Sequence, residues 1–484
     1  MNTLYQWFAR SVRRYPDAVA LEVGDRSLTY RELDAYSAAV AAYLLRRHGK
    51  PPHRVGLLAS RSLMAFAGYL GATRLGATVV PLNPLHPVAR TRLMLEAAPC
   101  EAVLTDSPNA RKGPFTAPDA MNGPFLAFSE ADLGGGAGVA PDDLSVLNGV
   151  AYLLFTSGST GRPKGVPIKH RHVAPFIEHN IARFEVGPGA RLSHTFDLTF
   201  DPSVFDLFVT WGSGATLVCP QRTELLDPLR YIEDRRLTHW FSVPSVITTA
   251  ERLGTIDRQV TGLWHSVFIG EQLTLRQAAR WHAAAPSVIT NTYGPTELTV
   301  ACADYRLPAD PADWPSTAND TVPIGSPYPF LAAVIRDDEL CVRGPQRFDG
   351  YLNPLDDADR FTGDGYYRTG DRVQWEHNAL VHLGRTDHQV KISGYRVELG
   401  EIETVLARHP DIAEAVAVAT TVDGEVRLDA WYRGAEVPER ELKHWLRGRL
   451  PLHMVPKRLR RVEQFPLNAN GKTDRAALSQ GAAQ

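Results

Sequence analysis

Residues 152–169, YLLFTSGSTGRPKGVPIK, decide what kind of chain this is. An apolar run typical of a strand passes into TSGSTG at residues 156–161, which has no bulky side chain. Glycines let backbone N–H groups turn toward a bound anion, and the Ser and Thr hydroxyls add further donors. Lys164 adds a positive charge close by. The stretch therefore predicts a phosphate-binding loop that follows a buried strand.

A Ser/Gly-rich surface turn is the other interpretation of this composition. The preceding strand-like run and the Pro163-Lys164-Gly165 ending argue against it. The loop also differs from the GxxxxGK[ST] phosphate loop, because its lysine does not directly follow the last glycine and no helix pattern opens there.

The composition indicates a soluble globular enzyme. The chain has 484 residues, more than one hydrophobic core usually covers, so two or more domains are expected. Its net charge of -2 gives no overall attraction to nucleic acid or to an anionic membrane. The four cysteines lack CxxC or metal-ligand spacing, which favours small buried side chains in a reducing compartment. With no secretory signal and no membrane span of ~20 apolar residues, a cytoplasmic location is expected.

Strand and helix patterns alternate through the first part of the chain. Strand-like runs at 19–23, 54–59 and 78–82 are separated by amphipathic stretches, one of which opens with the capping box Thr29-Tyr30-Arg31-Glu32. This alternation predicts a large α/β domain with sheets flanked by helices.

From residue 334 the hydrophobic pattern changes to short strand-like runs, which predict a small β subdomain. After Asp387 it changes again to an α+β pattern. The predicted domains are therefore 1–386 and 387–484, the second being of a normal size for a small domain.

Three further motifs carry groups suited to nucleotide chemistry. Residues 291–297, NTYGPTE, offer an aromatic ring and a carboxylate beside a tight turn, and Asp371 in YRTGD offers an acceptor for ribose hydroxyls. Residues 468–472, NANGK, put Lys472 on an Asn-Gly turn. Taken singly, each is more typical of an ordinary turn or hairpin tip.

Their order along the chain is more specific than any one motif. LTYREL (28–33), GATVVPLNP (76–84), FTSGSTGRPKG (155–165), NTYGPTE, YRTGD, GRTDHQVKISGYRVELGEIE (384–403) and NANGK follow one another. In this order the sequence resembles the adenylate-forming superfamily, which includes acyl-CoA synthetases, luciferase and the adenylation domains of nonribosomal peptide synthetases. The resemblance covers essentially the whole chain.

The resemblance implies a two-step ligase reaction that uses ATP and Mg²⁺. A carboxylate attacks the α-phosphorus of ATP to give an acyl adenylate and pyrophosphate, and a thiol then displaces AMP. The catalytic residues it implies are Lys472, Glu297 as the Mg²⁺ ligand, and Thr156. Asn291 and Tyr293 are similar to the family's adenine contacts, and Asp371 and Arg385 to its ribose contacts.

The resemblance further implies that Thr156, Ser157 and Thr160 hold phosphates while Lys164 orients the loop. The other residues it assigns to ATP are Gly158, Ser159, Gly270, Glu271, Thr292, Gly294 and Thr296. Asp387 matches the hinge about which the small domain rotates between the two steps, withdrawing Lys472 and presenting residues 391–398.

An aspartate in an apolar segment indicates which acid is activated. Phe200-Asp201-Pro202-Ser203 resembles the adenylation-domain segment whose aspartate binds the substrate's α-ammonium group, and a buried carboxylate needs such a cation. Asp197 and Asp206 remain alternative contacts, and a structural role for Asp201 is the competing interpretation. The other pocket positions implied are Phe200, Phe205, Ser245, Val267, Ile269, Thr292, Val300, Ala301 and Lys472.

These pocket positions are mostly apolar or small, which favours a small to medium neutral amino acid. A β-amino acid stays open, because Pro202 departs from the small residue usual beside the aspartate. The end of the chain soon after Lys472 predicts a stand-alone enzyme that charges a separate carrier protein's phosphopantetheine thiol. The basic residues near the C-terminus, Lys443, Arg447, Arg449, Lys457, Arg458, Arg460 and Arg461, would steer an acidic carrier or form a solvated face.

Two rival functions remain at this stage. The first is an acyl-CoA synthetase that acts on a carboxylic acid without an amino group. The second is a binding protein that kept the fold without catalysis, which the presence of Lys472, Glu297 and Asp371 together disfavours.

Overall fold

The computed structural model describes residues 1–106, 125–127, 141–158, 162–387, 389–392, 394–422, 425–466 and 473–482. These residues form two compact units. The first unit consists of Met1–Pro84, Ala98–Leu154 and Gly165–Gly384, and the second of Leu85–Ala97, Phe155–Lys164 and Arg385–Gln484. The sequence predicts one domain boundary, before Asp387, whereas the second unit also contains the two earlier segments Leu85–Ala97 and Phe155–Lys164.

The α-helices of the described residues are distributed over both units. They are α1 (Leu4–Arg14), α2 (Tyr30–His48), α3 (Leu63–Arg74), α4 (Val88–Ala97), α5 (His170–Arg183), α6 (Pro202–Ser213), α7 (Pro228–Asp234), α8 (Ser245–Leu253), α9 (Leu275–Ala284), α10 (Leu399–Ala407), α11 (Glu439–Arg447) and α12 (Arg475–Ala482). Among the described residues no helix combines the length and the apolar character that crossing a bilayer requires.

A six-stranded sheet has the order β6-β5-β3-β4-β7-β8. Its strands are β3 (Arg54–Leu58), β4 (Thr78–Leu82), β5 (Ala102–Thr105), β6 (Phe125–Ala127), β7 (Val150–Thr156) and β8 (Lys164–Lys169). The pairings β3–β4, β3–β5, β4–β7 and β5–β6 are parallel, and all five residues of β4 are buried. A parallel sheet buried on both faces confirms the predicted α/β class.

A nine-stranded sheet has the order β15-β14-β13-β12-β11-β9-β10-β1-β2. Its strands are β1 (Val19–Val23), β2 (Arg26–Thr29), β9 (Arg191–Ser193), β10 (Thr216–Cys219), β11 (His239–Ser242), β12 (His265–Phe268), β13 (Val288–Tyr293), β14 (Ala303–Arg306) and β15 (Ser326–Pro327). The central strands are parallel, with Ser242 beside Phe268 and Phe268 beside Asn291. This register brings the carboxyl ends of β11, β12 and β13 to one edge, where ligands bind in sheets of this kind.

The remaining strands form three smaller sheets. The predicted β subdomain is the antiparallel sheet of β16 (Ala332–Arg336), β17 (Glu339–Arg343), β18 (Tyr367–Glu376) and β19 (Ala379–Arg385). In the second unit, β20 (Gln389–Ile392) and β21 (Tyr395–Glu398) form a hairpin, and β22 (Ile412–Val422), β23 (Glu425–Gly434) and β24 (Arg458–Arg461) form a sheet. Val397, Ile402, Leu406 and Leu442 belong to a core shared by this hairpin, α10 and α11.

The structure confirms the predicted start of α2 and shows where α6 ends. The Thr29 hydroxyl accepts the Glu32 N–H while Glu32 accepts the Thr29 N–H, so the predicted capping box opens α2. The apolar run at 207–217 is divided between two elements. Gly214, at a φ of 84°, ends α6 there, and β10 begins two residues later.

Candidate active site

The phosphate loop begins where β7 ends. Ser157 is buried, and its hydroxyl donates to the Arg396 carbonyl at 2.8 Å and accepts the Glu398 N–H at 3.1 Å. Both partners lie on β21 within the second unit, to which Ser157 also belongs. The predicted phosphate loop and the predicted mobile segment 391–398 are therefore joined through one hydroxyl. Two other predicted loop residues, Ser159 and Thr160, lie outside the described residues.

A buried ion pair lies beside this loop in the second unit. The Arg90 guanidinium on α4 binds the Glu401 carboxylate on α10, and both side chains are buried. Burial raises the pKa of Glu401, against the opposing effects of Arg90 and of the Gly158 N–H. Neither residue of the pair is predicted from sequence, because nothing local joins positions separated by 311 residues.

The remaining predicted residues of the second unit include the hinge. Arg385 binds Asp387 through two hydrogen bonds, from Nε to Oδ1 at 2.7 Å and from a terminal nitrogen to Oδ2 at 2.8 Å. Burial would raise the pKa of Asp387, but Arg385, the Gln389 N–H and the charge of Arg396 together hold that pKa below its usual value. The predicted ribose contact and the predicted hinge are thus direct neighbours. Lys164 begins β8, and Lys472 lies outside the described residues.

In the first unit, the last residues of β13 carry the predicted nucleotide contacts. The Tyr293 hydroxyl donates to Oδ2 of Asp371 at 2.5 Å, and burial raises the pKa of Tyr293 well above its usual value. Asn291 donates its amide to the carbonyls of Val322 and Pro323. Because the side-chain nitrogen of Asn291 is already engaged, Asn291 would contact adenine through its side-chain oxygen or its backbone.

His382 completes this cluster and is absent from the sequence prediction. Its Nε2 lies 3.1 Å from Oδ1 of Asp371, while the Gln272 amide nitrogen reaches both His382 Nδ1 at 3.1 Å and the His382 carbonyl at 3.0 Å. An amide nitrogen only donates, so Nδ1 of His382 accepts the hydrogen bond from Gln272. Nε2 of His382 therefore carries the hydrogen and donates it in the hydrogen bond to Asp371. A lone histidine on a strand gives no sequence signal for this role.

Glu297, the predicted metal ligand, is buried just after β13. Its Oε1 accepts a 2.5 Å hydrogen bond from the Tyr351 hydroxyl. Among the described residues no cluster of three or more metal-ligating side chains occurs. A single carboxylate fits Mg²⁺, which commonly binds one or two carboxylates together with substrate phosphates.

Two predicted residues at neighbouring strand ends contact each other directly. Gly270 and Glu271 follow β12, with Gly270 at a φ of 93°, and Glu271 Oε2 accepts the Ser245 N–H at 2.8 Å. Glu271 therefore binds the first residue of α8, which joins a predicted ATP residue to a predicted pocket residue. Val267 and Ile269, also at this edge, are buried.

Asp197 and Asp206, both near the start of α6, contact other side chains. Asp197 accepts from the Ser60 hydroxyl at 2.9 Å and from the Thr199 N–H at 3.0 Å, and Asp206 lies 3.1 Å from Nδ1 of His194. Burial raises the pKa of Asp206 and lowers that of His194.

Asp201 directly precedes α6, and its side chain accepts no hydrogen bond from the N–H groups at the start of that helix. The residue is buried, with 5% of its surface exposed. It lies close enough to Tyr152 for its charge to add to the effect of burial, which raises the pKa of Tyr152 well above its usual value. The two alternative aspartates, Asp197 and Asp206, bind local structural partners.

Four phenylalanine rings at and near the start of α6 pack against one another. The Phe205 ring lies 4.4 Å from that of Phe241, and Phe196 lies 5.0 Å from Phe241 and 5.6 Å from Phe200, measured between centroids. Phe196 and Phe241 are not among the sequence-predicted pocket residues.

The last predicted pocket residues lie on a strained turn. Thr299 and Val300 adopt φ angles of 61° and 70°, where β-branched residues are outliers. Gly294 is needed beside them, because a Cβ at this position would lie 2.6 Å from the Ala301 Cα. Thr296 begins the short 3-10 turn that leads into this segment, and Thr292 donates its hydroxyl to the Phe268 carbonyl at 3.0 Å.

Comparison with known proteins supports this reading of the motifs. Residues 8–352 match the model of the AMP-binding enzyme family, and residues 401–472 match that of the AMP-binding enzyme C-terminal domain. The chain is 36% identical over 524 aligned residues to phosphinothricin tripeptide synthetase PhsC of Streptomyces viridochromogenes, covering 100% of this chain. It spans only 45% of that protein's length.

Two solved structures are similar over nearly their full length. The adenylation domain AlmE of Vibrio cholerae, in complex with glycyl-adenosine-5'-phosphate, matches with a TM-score of 0.86 and 28% identity, covering 100% of this chain and 98% of that one. NpsA-ThdA, an artificially fused adenylation-PCP di-domain from Klebsiella oxytoca, matches with a TM-score of 0.81 and 25% identity, covering 95% and 93%. The chain belongs to the AMP-binding enzyme family, whose adenylation enzymes are AMP-forming ligases, and its relatives include nonribosomal peptide synthetases.

Proposed function

We propose that this protein activates a small to medium neutral amino acid with ATP and transfers it to the phosphopantetheine thiol of a separate carrier protein. In the first step a carboxylate oxygen attacks the α-phosphorus, and the bond to pyrophosphate breaks. In the second step the thiolate sulfur attacks the acyl carbon, and AMP leaves with the electron pair. The product is an aminoacyl thioester.

The observation that carries the proposal is the placement of Asp201. A carboxylate that is almost completely buried is costly unless a cation meets it, and a substrate α-ammonium group provides that cation. Asp201 is the proposed contact because it lies at the start of α6 in the Phe200-Asp201-Pro202-Ser203 segment that resembles the ammonium-binding segment of adenylation domains. A fatty or aryl acid has no group that needs this charge.

The packed rings near the start of α6 support a substrate of limited size. Phe205, Phe241 and Phe196 pack closely against one another. AlmE, with 28% identity, was solved with an adenylate of glycine, which is consistent with a small amino acid here.

The proposed nucleotide contacts are the residues that the sequence resemblance implies, together with His382. Tyr293, Asp371 and His382 would hold the nucleoside, with Asn291 at the adenine and Arg385 at the ribose. Thr156, Ser157, Ser159, Thr160 and Lys164 would serve the phosphates. Mg²⁺ bound by Glu297 and by phosphate oxygens would neutralise charge on the leaving pyrophosphate. Lys472 would contact the substrate carboxylate and the α-phosphate.

The proposed carrier is a separate protein with an acidic surface. Lys457, Arg458, Arg460 and Arg461 are exposed on and beside β24, which forms one edge of its sheet. Complementary charge would speed the encounter with an acidic partner. The fused adenylation-PCP relative supports a carrier as the acceptor.

The test is ATP–pyrophosphate exchange with a panel of amino, β-amino, fatty and aryl acids. We expect exchange with a small neutral amino acid and none with fatty or aryl acids. Exchange confined to acids without an amino group would instead establish an acyl-CoA synthetase. Loading of purified holo-carrier proteins, followed by mass spectrometry, would identify the acceptor.

A further inference from the structure

Gln346 lies far from the pocket in sequence but contacts the strained turn that carries Val300 and Ala301. Its side chain is completely buried, and its amide nitrogen donates to the carbonyls of Leu298 at 3.0 Å, Thr299 at 3.3 Å and Ala301 at 2.8 Å. Three carbonyl acceptors fix the orientation of the amide, because only its nitrogen can donate. One side chain thus binds most of the turn's backbone acceptors.

The contact is reciprocal. The Thr299 hydroxyl donates to the Gln346 backbone carbonyl at 2.7 Å. Two positions further on, the Phe348 N–H donates to the Glu297 carbonyl at 2.9 Å. The segment that begins at Gln346 therefore runs alongside residues 297–301 and is bonded to them at both ends.

The turn needs such support because of its backbone conformation. Thr299 and Val300 are consecutive β-branched residues at positive φ. A conformation of this kind persists only where surrounding contacts hold it, and it is concentrated at functional sites. The buried amide of Gln346 supplies these contacts without itself reaching Asp201 or the sequence-predicted nucleotide residues in any hydrogen bond that the structure records.

We propose that Gln346 is a positioning residue that fixes the amino-acid pocket by holding Thr299 and Val300 in this conformation. The inference rests on the proposed function, since it takes Val300 and Ala301 as pocket walls. It predicts that Gln346 controls recognition of the amino acid while leaving ATP recognition largely unchanged. Sequence reasoning does not find this role, because a single glutamine in a turn-rich segment has no distinguishing pattern.

The main variant is Gln346→Met, which keeps an unbranched side chain of similar length and removes the donor. We expect the KM for the amino acid in pyrophosphate exchange to rise about tenfold, with the KM for ATP changing less than about twofold. Adding Thr299→Gly should recover much of this loss, since glycine adopts positive φ at no steric cost. A purely structural role would lower stability without this selective change and without this recovery.

A matched control is Gln277→Met. Gln277 is a buried glutamine of the same unit whose amide donates to the Thr248 hydroxyl at 2.9 Å and whose side chain caps α9. Its replacement should lower the melting temperature but leave the amino-acid KM unchanged. If Gln346→Met does not fold, Thr299→Val tests the other half of the contact, with a smaller rise of the amino-acid KM expected.

Two results overturn the inference. One is an equal rise of both KM values in Gln346→Met, and the other is no recovery on adding Thr299→Gly. Failure of the proposed function is distinguishable, because the wild-type protein would then exchange with no amino acid. If it exchanged only with another carboxylic acid, the KM for that acid would decide the role of Gln346.

Discussion

The Tyr293 hydroxyl and the Asp371 carboxylate are joined by a hydrogen bond of 2.5 Å, although 78 residues separate them in the chain. Because Tyr293 ends β13 and Asp371 lies on β18, the bond ties the nine-stranded sheet to the β subdomain within the first unit. His382 binds the second oxygen of Asp371. A proposed adenine contact and a proposed ribose contact are therefore held as one group.

Removing this hydroxyl should weaken ATP binding. In Tyr293→Phe the buried Asp371 loses one of its donors, and a hydrogen bond to a charged group contributes about 1.5–3 kcal/mol. We expect the KM for ATP to rise about tenfold or more, with a smaller change for the amino acid. Steady-state pyrophosphate exchange at varied ATP measures this. Tyr231→Phe is the matched control, since Tyr231 donates to the Val218 carbonyl at 2.8 Å in the same unit and serves no proposed site. An unchanged KM for ATP would show that the pair is only structural.

Neutralising Asp201 should abolish amino-acid recognition. Asp201→Asn keeps the shape of the side chain but leaves the substrate ammonium without a charged partner, so exchange should fall about 10²-fold or more. ATP binding, followed by equilibrium dialysis, should be retained. Asp197→Asn provides the comparison, because it disturbs the bonds to Ser60 and Thr199. That variant should lose thermal stability while keeping its preference among amino acids. Normal exchange by Asp201→Asn would place the ammonium elsewhere.

Replacing Lys472 is expected to slow adenylate formation more than replacing Lys164. Lys472→Ala removes a charge proposed to act on the transition state, and adenylate formation should fall on the order of 10²-fold or more. Lys164→Ala, at the start of β8, should have a smaller effect because its proposed role is to orient the loop. Single-turnover formation of the aminoacyl adenylate compares the two directly, and the opposite ranking would contradict the proposal.

His170 should make the first unit sensitive to acid. Its Nδ1 accepts the Leu4 N–H at 3.1 Å, and burial lowers the pKa of His170 from 6.5 to about 4. The unfolded chain therefore binds a proton at a higher pH than the folded one, so the contribution to stability is complete above pH 6.5 and declines as the pH falls toward 4.

Between pH 7 and pH 5 this single group should cost about 2 kcal/mol of unfolding free energy. Urea unfolding of the wild type and of His170→Gln at both pH values measures the difference. The variant should lose less stability on acidification by about that amount, and other buried histidines cancel because both proteins share them. An identical response of the two proteins would show that His170 does not contribute.

Much of the fold is predictable because its signals are local. The capping box at Thr29 and Glu32 and the strand at 19–23 both depend on neighbouring residues, and the structure confirms both. The divided run at 207–217 shows the limit of hydrophobicity alone, since Gly214 rather than an apolar residue sets the boundary.

By itself the sequence determined the family, through motifs whose spacing fixes loop chemistry, together with the α/β class and a set of candidate site residues. The tertiary structure alone decided which groups meet: His382 with Asp371, Arg90 with Glu401, Gln346 with the turn at Thr299, Asp197 with Ser60, and Asp206 with His194. The reason is physical. A hydrogen bond between residues tens or hundreds of positions apart depends on how strands and loops pack, and it leaves no periodic trace in the chain.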